Sequence, residues 1–225
     1  QLGVSTFGDG RQTANTKLTV GGNNQSTEFF GRIGDVSSCF MGGGLAYNQL
    51  AKVGTVNLTL WGENTYKGGT IVSNGTLTVN NYINTDGWVS IAAPGTLDGI
   101  GTVGPVTNNG GTVRGSLHMT SLTLGSGSKL EALLNGATPV SQYSQLSVQS
   151  AVNLTGSTLL LTLGYAPAVG QTFTILNGSS VSGQFANGAT VTASYGGKTY
   201  SFSITNTGSA IVLTALPRGS VISIR

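Results

Sequence analysis

Asp9, Glu28, Asp35, Glu63, Asp86, Asp98 and Glu131 are the only carboxylates in the 225 residues, and no two are close in sequence. Cleavage of a glycosidic bond needs two acids about the scissile bond, and lyase-type chemistry needs several acids holding calcium beside a base. Folding would have to assemble such a cluster. In a coil with stacked turns, Asp86 with Asp98, or Glu63 with Asp86, would share a face if the turn length matched their separation. The intervening segments are too unequal to set that register, and isolated acids suit turns and caps. His118, the only histidine, alternates with Leu117 and Met119, so it is expected to point outward or to be a satisfied strand residue. Cys39 stands alone in Ser37-Ser38-Cys39-Phe40-Met41, so an intramolecular disulfide and a multi-thiolate zinc site are excluded. It reads as a small buried side chain. Gly125-Ser126-Gly127-Ser128 is a turn rather than a nucleophile elbow, and no glycine cluster leads into a helix or a Gly-Lys-Ser sequence. We assign no catalytic residue, no metal ligand and no cofactor.

Aromatic rings offer a different chemistry, since flat faces stack on sugars. Trp61, Tyr66, Tyr82 and Trp88 fall within one short stretch and are the glycan-contacting residues expected if the chain binds carbohydrate. The competing explanation is packing, because aromatic side chains also fit β-surfaces and solenoid cores.

The elements that would position these groups are strands. Charged residues make up only 8% of the chain, against about a quarter in average domains, and there are 36 glycines. With abundant Thr, Ser, Asn and Val, this composition favours an all-β body with many tight turns. Ten basic and seven acidic residues give a net charge of +3 without a basic run, so a nucleic-acid partner is not expected. No apolar run approaches the roughly 18 residues of a membrane-spanning helix. Gln1 opens into Leu2-Gly3-Val4-Ser5 without a basic-then-apolar leader, which fits a mature fragment after signal removal.

The stretch 59–81 is the centre of the pattern. Thr70-Ile71-Val72 and Thr76-Leu77-Thr78-Val79 are short alternating strands parted by the turn signal Ser73-Asn74-Gly75, and Thr55–Leu60 alternates upstream. Gly-Thr-aliphatic triplets begin at Gly75, Gly95, Gly101 and Gly111, each expected to set a turn and aim one aliphatic side chain inward. Asn80-Asn81 and Asn108-Asn109 suit left-handed corners and amide ladders. Leu60, Gly62, Asn64-Thr65-Tyr66, Gly68-Gly69-Thr70, Val72, Asn74-Gly75-Thr76-Leu77 and Val79 together resemble the autotransporter-associated β-strand repeat of bacterial passenger domains and other large secreted surface proteins. Leu50-Ala51-Lys52-Val53-Gly54 is similar to that family's lead-in, and Ser26–Gly34 to the segment before it. The resemblance implies a right-handed parallel β-helix (β-solenoid) and export to the cell surface or the extracellular space through a Gram-negative-type envelope. A C-terminal outer-membrane barrel would accompany such a passenger; it would lie beyond a cleavage site, or export takes another route.

From Ser116 the strands lengthen. Gln145-Leu146-Ser147-Val148, the Leu-rich run at 158–163 and Gly170-Gln171-Thr172-Phe173-Thr174-Ile175 resemble the C-terminal part of repeat-containing passengers, with Ser144 where that family carries Asp. The expected organisation is a β-helix over 1–115, further rungs or a capping β-module over 116–216, and a terminal strand over 217–225. Eleven rungs of about twenty residues, about 4.8 Å apart, would make a rod on the order of 50 Å long. Ser220, Val221, Ile222, Ser223 and Ile224 alternate after the Pro217-Arg218-Gly219 break and form the expected self-assembly strand; Leu2–Phe7 is another candidate partner. Adding the tail of one copy to an edge of the next would give an open, head-to-tail filament. The function expected is therefore a non-enzymatic extracellular structural or adhesive solenoid that self-associates, its other partner a cell-surface glycan or protein. The alternative is a carbohydrate-binding or polysaccharide-degrading β-helix.

Overall fold

The computed structural model describes residues 16–35 and 47–218. Asp9, Cys39, Leu2–Phe7 and the Ser220–Ile224 tail lie outside the described residues. Within them every regular element is a strand.

The chain winds as a three-faced parallel β-helix. The first turn supplies β1 (Lys17–Val20) and β2 (Thr27–Phe29), and the second β3 (Gln49–Lys52), β4 (Asn57–Leu60) and β5 (Glu63–Asn64). Then come β6 (Thr70–Val72), β7 (Thr76–Val79) and β8 (Tyr82–Ile83), followed by β9 (Val89–Ala92), β10 (Thr96–Gly99) and β11 (Thr102–Val103). The fifth turn holds β12 (Val106–Asn109), β13 (Thr112–Val113) and β14 (His118–Met119), and the sixth β15 (Leu122–Leu124), β16 (Lys129–Leu134) and β17 (Leu146–Val148). The seventh is β18 (Ala151–Asn153), β19 (Thr158–Leu163) and β20 (Thr172–Asn177), after which β21 (Ser180–Ser182) begins an eighth. Successive turns pair in parallel as three sheets: A from β1 to β21, B from β2 to β19, and C from β5 to β20.

The inner surface follows from alternation. Leu58, Leu77, Leu97, Val113, Leu130 and Leu159 form one buried column of sheet B, in register from turn to turn. Three of them, Leu77, Leu97 and Val113, are the inward residues of Gly-Thr-aliphatic triplets, and the glycine carbonyls of Gly75 and Gly95 accept the amides of Thr96 and Thr112. The fourth triplet, at Gly101, sends Val103 into the core from sheet C. In sheet A, Leu50, Thr70, Val89, Val106 and Leu122 occupy one column, so those turns take 20, 19, 17 and 16 residues.

Several expectations need correction. The asparagines form no ladder: Asn108 stands between Ile91 and Leu124, and the Asn81 side chain donates to the Trp61 carbonyl. Left-handed corners fall to glycine, Asn24 and Val140 being the only other residues there among those described. At Gly54, with φ of 72°, an added Cβ would stand 1.9 Å from the Gly21 carbonyl oxygen of the turn below, so no side chain fits.

The lengthening at Ser116 marks no break, because all three sheets run through it. The change of architecture comes after Ser182. There β22 (Thr190–Tyr195), β23 (Lys198–Asn206) and β24 (Ala210–Ala215) form an antiparallel meander, and β24 pairs antiparallel with β20. Residues 116–216 therefore supply both further rungs and a cap. Among the described residues six turns carry a strand on all three faces, with a partial turn at each end, where about eleven rungs were expected over the chain, and at about 4.8 Å per step the coil rises roughly 30 Å.

Candidate functional site

Sheet C carries the site. Its strands are two or three residues long at the middle turns, so each contributes one outward side chain and one inward one, or two inward in β17. Ile83, Val103, Met119 and Val148 point inward and are buried. Outward, Tyr82, Thr102, His118, Ser147 and Asn177 pair in register as one column across five turns. Their separations along the chain are 20, 16, 29 and 30 residues, which is why no spacing rule could find them. The outward placement of His118 was legible from its apolar neighbours; its companions were not.

A groove of about 440 Å³ runs along this column. Thr102, His118, Ser147 and Asn177 of the column line it together with Thr85, Thr120 and Gln149, and Val103, Met119 and Val148 from the same strands complete the lining. Gly104 follows β11, where Thr120 follows β14 and Gln149 follows β17. A Cβ there would meet the Gly87 carbonyl oxygen at 2.0 Å, so that turn presents no side chain. The lining contains neither a carboxylate nor a lysine or arginine. Its chemistry is that of neutral hydrogen-bond donors and acceptors, with one imidazole at the centre.

Glu63 follows Tyr82 as the next member of the outward column, beyond the groove lining, and the other described carboxylates are elsewhere. Asp98, on the outer face of sheet B, accepts from Arg114 Nε at 2.8 Å, and Glu131 stands 3.5 Å from the same guanidinium on its other side. The two acids raise the Arg114 pKa against an opposing effect of burial, the largest single influence. Asp86 pairs with Lys67 at 2.9 Å on the exposed turn before β9. Asp35 accepts the backbone N–H groups of Asn48 and Lys67, joining two turns. Asp86 therefore meets neither Asp98 nor Glu63. Among the described residues no group of three His, Cys, Asp or Glu side chains is placed to hold a metal ion.

The four aromatic residues separate. Tyr66 is fully buried in the corner between sheets C and A, its hydroxyl 2.6 Å from Thr70 Oγ1, so it presents no ring to a ligand. The lead-in to β6 needs an inward side chain at that corner, and the Thr70 hydroxyl satisfies the phenol there. Trp61 is 41% exposed on the corner between sheets B and C and stacks on Phe30 with centroids 6.0 Å apart and planes 4° from parallel. Trp88 is equally exposed at the opposite corner, its indole lying against Gly69, where a Cβ would come within 2.4 Å of the ring. Only Tyr82 belongs to the outward column of sheet C, and its hydroxyl accepts from the Thr85 amide at 3.4 Å.

Among the described residues one charged side chain is inside the coil. Lys52 is fully buried at the end of β3, and its ammonium donates to the carbonyls of Val53, Gly54 and Asn74 at 2.7, 3.0 and 3.1 Å. Burial lowers its pKa. The three carbonyls belong to two successive corners, so the side chain braces one turn to the next. No protein-family model matches the chain, and no curated protein matches it either.

Proposed function

We propose that this chain is a non-enzymatic extracellular structural or adhesive solenoid, exported to the cell surface or beyond, with copies joined end to end by the terminal strand. One observation carries the reading: an unbroken parallel stack in which Asp35, Asp86 and Asp98 are each bonded into the scaffold, while the groove on sheet C has no carboxylate in its lining. The likeness to passenger repeats supplies the expectation of export. The end-to-end variant draws on the asymmetry of the coil. At one end the meander β22–β24 covers the last turn, whereas at the other β1 and β2 are, among the described residues, the outermost strands of their sheets. Such an edge offers unpaired backbone groups to an added strand.

The test compares the full chain with a version ending at Arg218, which keeps the guanidinium that lies 5.2 Å over the Tyr200 ring. Negative-stain microscopy at rising concentration is expected to show filaments from the full chain and single short rods from the truncation. Rods in both samples would end the assembly variant. In parallel, neutral and acidic polysaccharides are incubated with the protein and assayed for new reducing ends and for unsaturated products; turnover of either kind would overturn the non-enzymatic reading.

A further inference from the structure

We infer that the groove on sheet C is a binding site for a neutral oligosaccharide lying parallel to the solenoid axis, an assignment that rests on the adhesive reading above and names its ligand class. Three observations lead there. First, the groups offered are hydroxyls, carboxamides and a single imidazole, in a lining without carboxylate, ammonium or guanidinium. A cation would find no carboxylate there and an anion no ammonium or guanidinium, whereas a ligand dense in hydroxyls finds both donors and acceptors. Second, the groups repeat along the coil. Thr102, His118, Ser147 and Asn177 are in register on consecutive turns, three steps of about 4.8 Å that span roughly 14 Å. A ligand with periodic hydroxyls can meet them one turn at a time. Third, Tyr82 continues the column one turn beyond the groove lining, before Glu63, and is an aromatic residue of the kind that packs on the apolar face of a sugar.

An extended peptide is the competing occupant. It would bind by adding backbone hydrogen bonds, and this face has none to give: the amides of Thr102, His118, Ser147 and Gln149 already donate to carbonyls of the preceding turn. What remains free is side-chain chemistry on the outward column, and that favours the sugar.

His118 is the only histidine in the chain, so its ring proton signals report on the centre of the groove without assignment. The full chain is titrated with neutral hexasaccharides of β-1,4-glucose, β-1,3-glucose, β-1,4-N-acetylglucosamine and α-1,4-glucose, with a hexagalacturonate as acidic control and an alternating hydrophobic–polar peptide as strand control. Saturable movement of the His118 signals with at least one neutral sugar is expected, and the Ser147→Leu/Asn177→Leu double variant should bind it at least about tenfold more weakly. A Thr123→Leu variant on the outer face of sheet A should bind as the parent does, and an unchanged thermal midpoint in the double variant would show that its loss is local. Stationary signals with all four sugars at millimolar concentration overturn the proposal. So does equal or stronger movement with the acidic sugar or the peptide, and so does unchanged affinity in the double variant. None of these outcomes touches the structural reading, which the filament and turnover experiments decide separately.

Discussion

Tyr66 and Lys52 show how single polar groups are tolerated inside a sugar-cube of aliphatic side chains. Burial pushes the Tyr66 phenol above its ordinary pKa of 10.0, and the bond to Thr70 offsets part of that rise. In the unfolded chain the phenol ionises near 10, while the folded state keeps its proton to higher pH. Between those two values the folded state holds more protons, so this group leaves stability constant below pH 10 and erodes it as pH rises further. Urea unfolding measured against pH should therefore show a steeper alkaline loss in the parent than in Tyr66→Phe. At neutral pH the variant should be less stable by about 1 kcal/mol, because Thr70 loses its partner; identical alkaline slopes would refute the assignment. For Lys52 the burial cost of the charge is opposed by three carbonyl acceptors. Lys52→Met leaves those carbonyls without their donor in the corner, and a loss of about 3 kcal/mol is expected from the urea midpoint. No loss would mean that water or a shifted backbone replaces the brace.

At the scale of elements, the cap is the part that makes a finite object of the coil. Sheet C passes from parallel to antiparallel pairing between β20 and β24, and β22 to β24 bring Val191, Ala193, Tyr200 and Phe202 into the core. Phe173 of β20 lies at the centre of this junction, with ring centroids of Tyr143, Tyr165 and Phe202 5.4, 6.4 and 6.2 Å away. A solenoid without a terminal cap exposes the apolar face and unpaired backbone of its last turn. A chain ending at Ser182 should therefore associate with rising concentration in light scattering, whereas the chain ending at Arg218 stays monodisperse. A monodisperse Ser182 truncation with the parent's melting temperature would show that the seventh turn needs no cover.

For the whole molecule, stability is built between neighbouring turns, each aliphatic column adding one contact layer per step. The short rise of roughly 30 Å follows from spending residues on long connections, as between β16 and β17, and on the cap rather than on more turns. Because each turn contacts only its neighbours, the outer faces are free to differ: sheet B carries the Asp98–Arg114–Glu131 ladder, and sheet C the uncharged groove. In a filament of end-joined copies that groove would recur once per subunit, with an axial repeat no shorter than about 30 Å.

Alternation and turn chemistry act locally, and they determined what is local: the all-β body, the corner at Ser73-Asn74-Gly75, the inward Leu77, Leu97, Val103 and Val113, and the outward His118. The strand expected at Gln145–Val148 was legible in the same way and is found at Leu146–Val148, whereas the Ser144 hydroxyl's acceptance of the Leu133 amide was not. Register between turns is not local. It depends on how many residues each connection holds, and these vary from turn to turn, so only the tertiary structure decided that Tyr82, Thr102, His118, Ser147 and Asn177 share a column and that Asp86 and Asp98 do not. The same holds for Tyr66, whose sequence neighbours fit an exposed ring as well as a buried one. Its direction was set by the corner it turns and by Thr70, four residues on, closing the hydrogen bond that burial required.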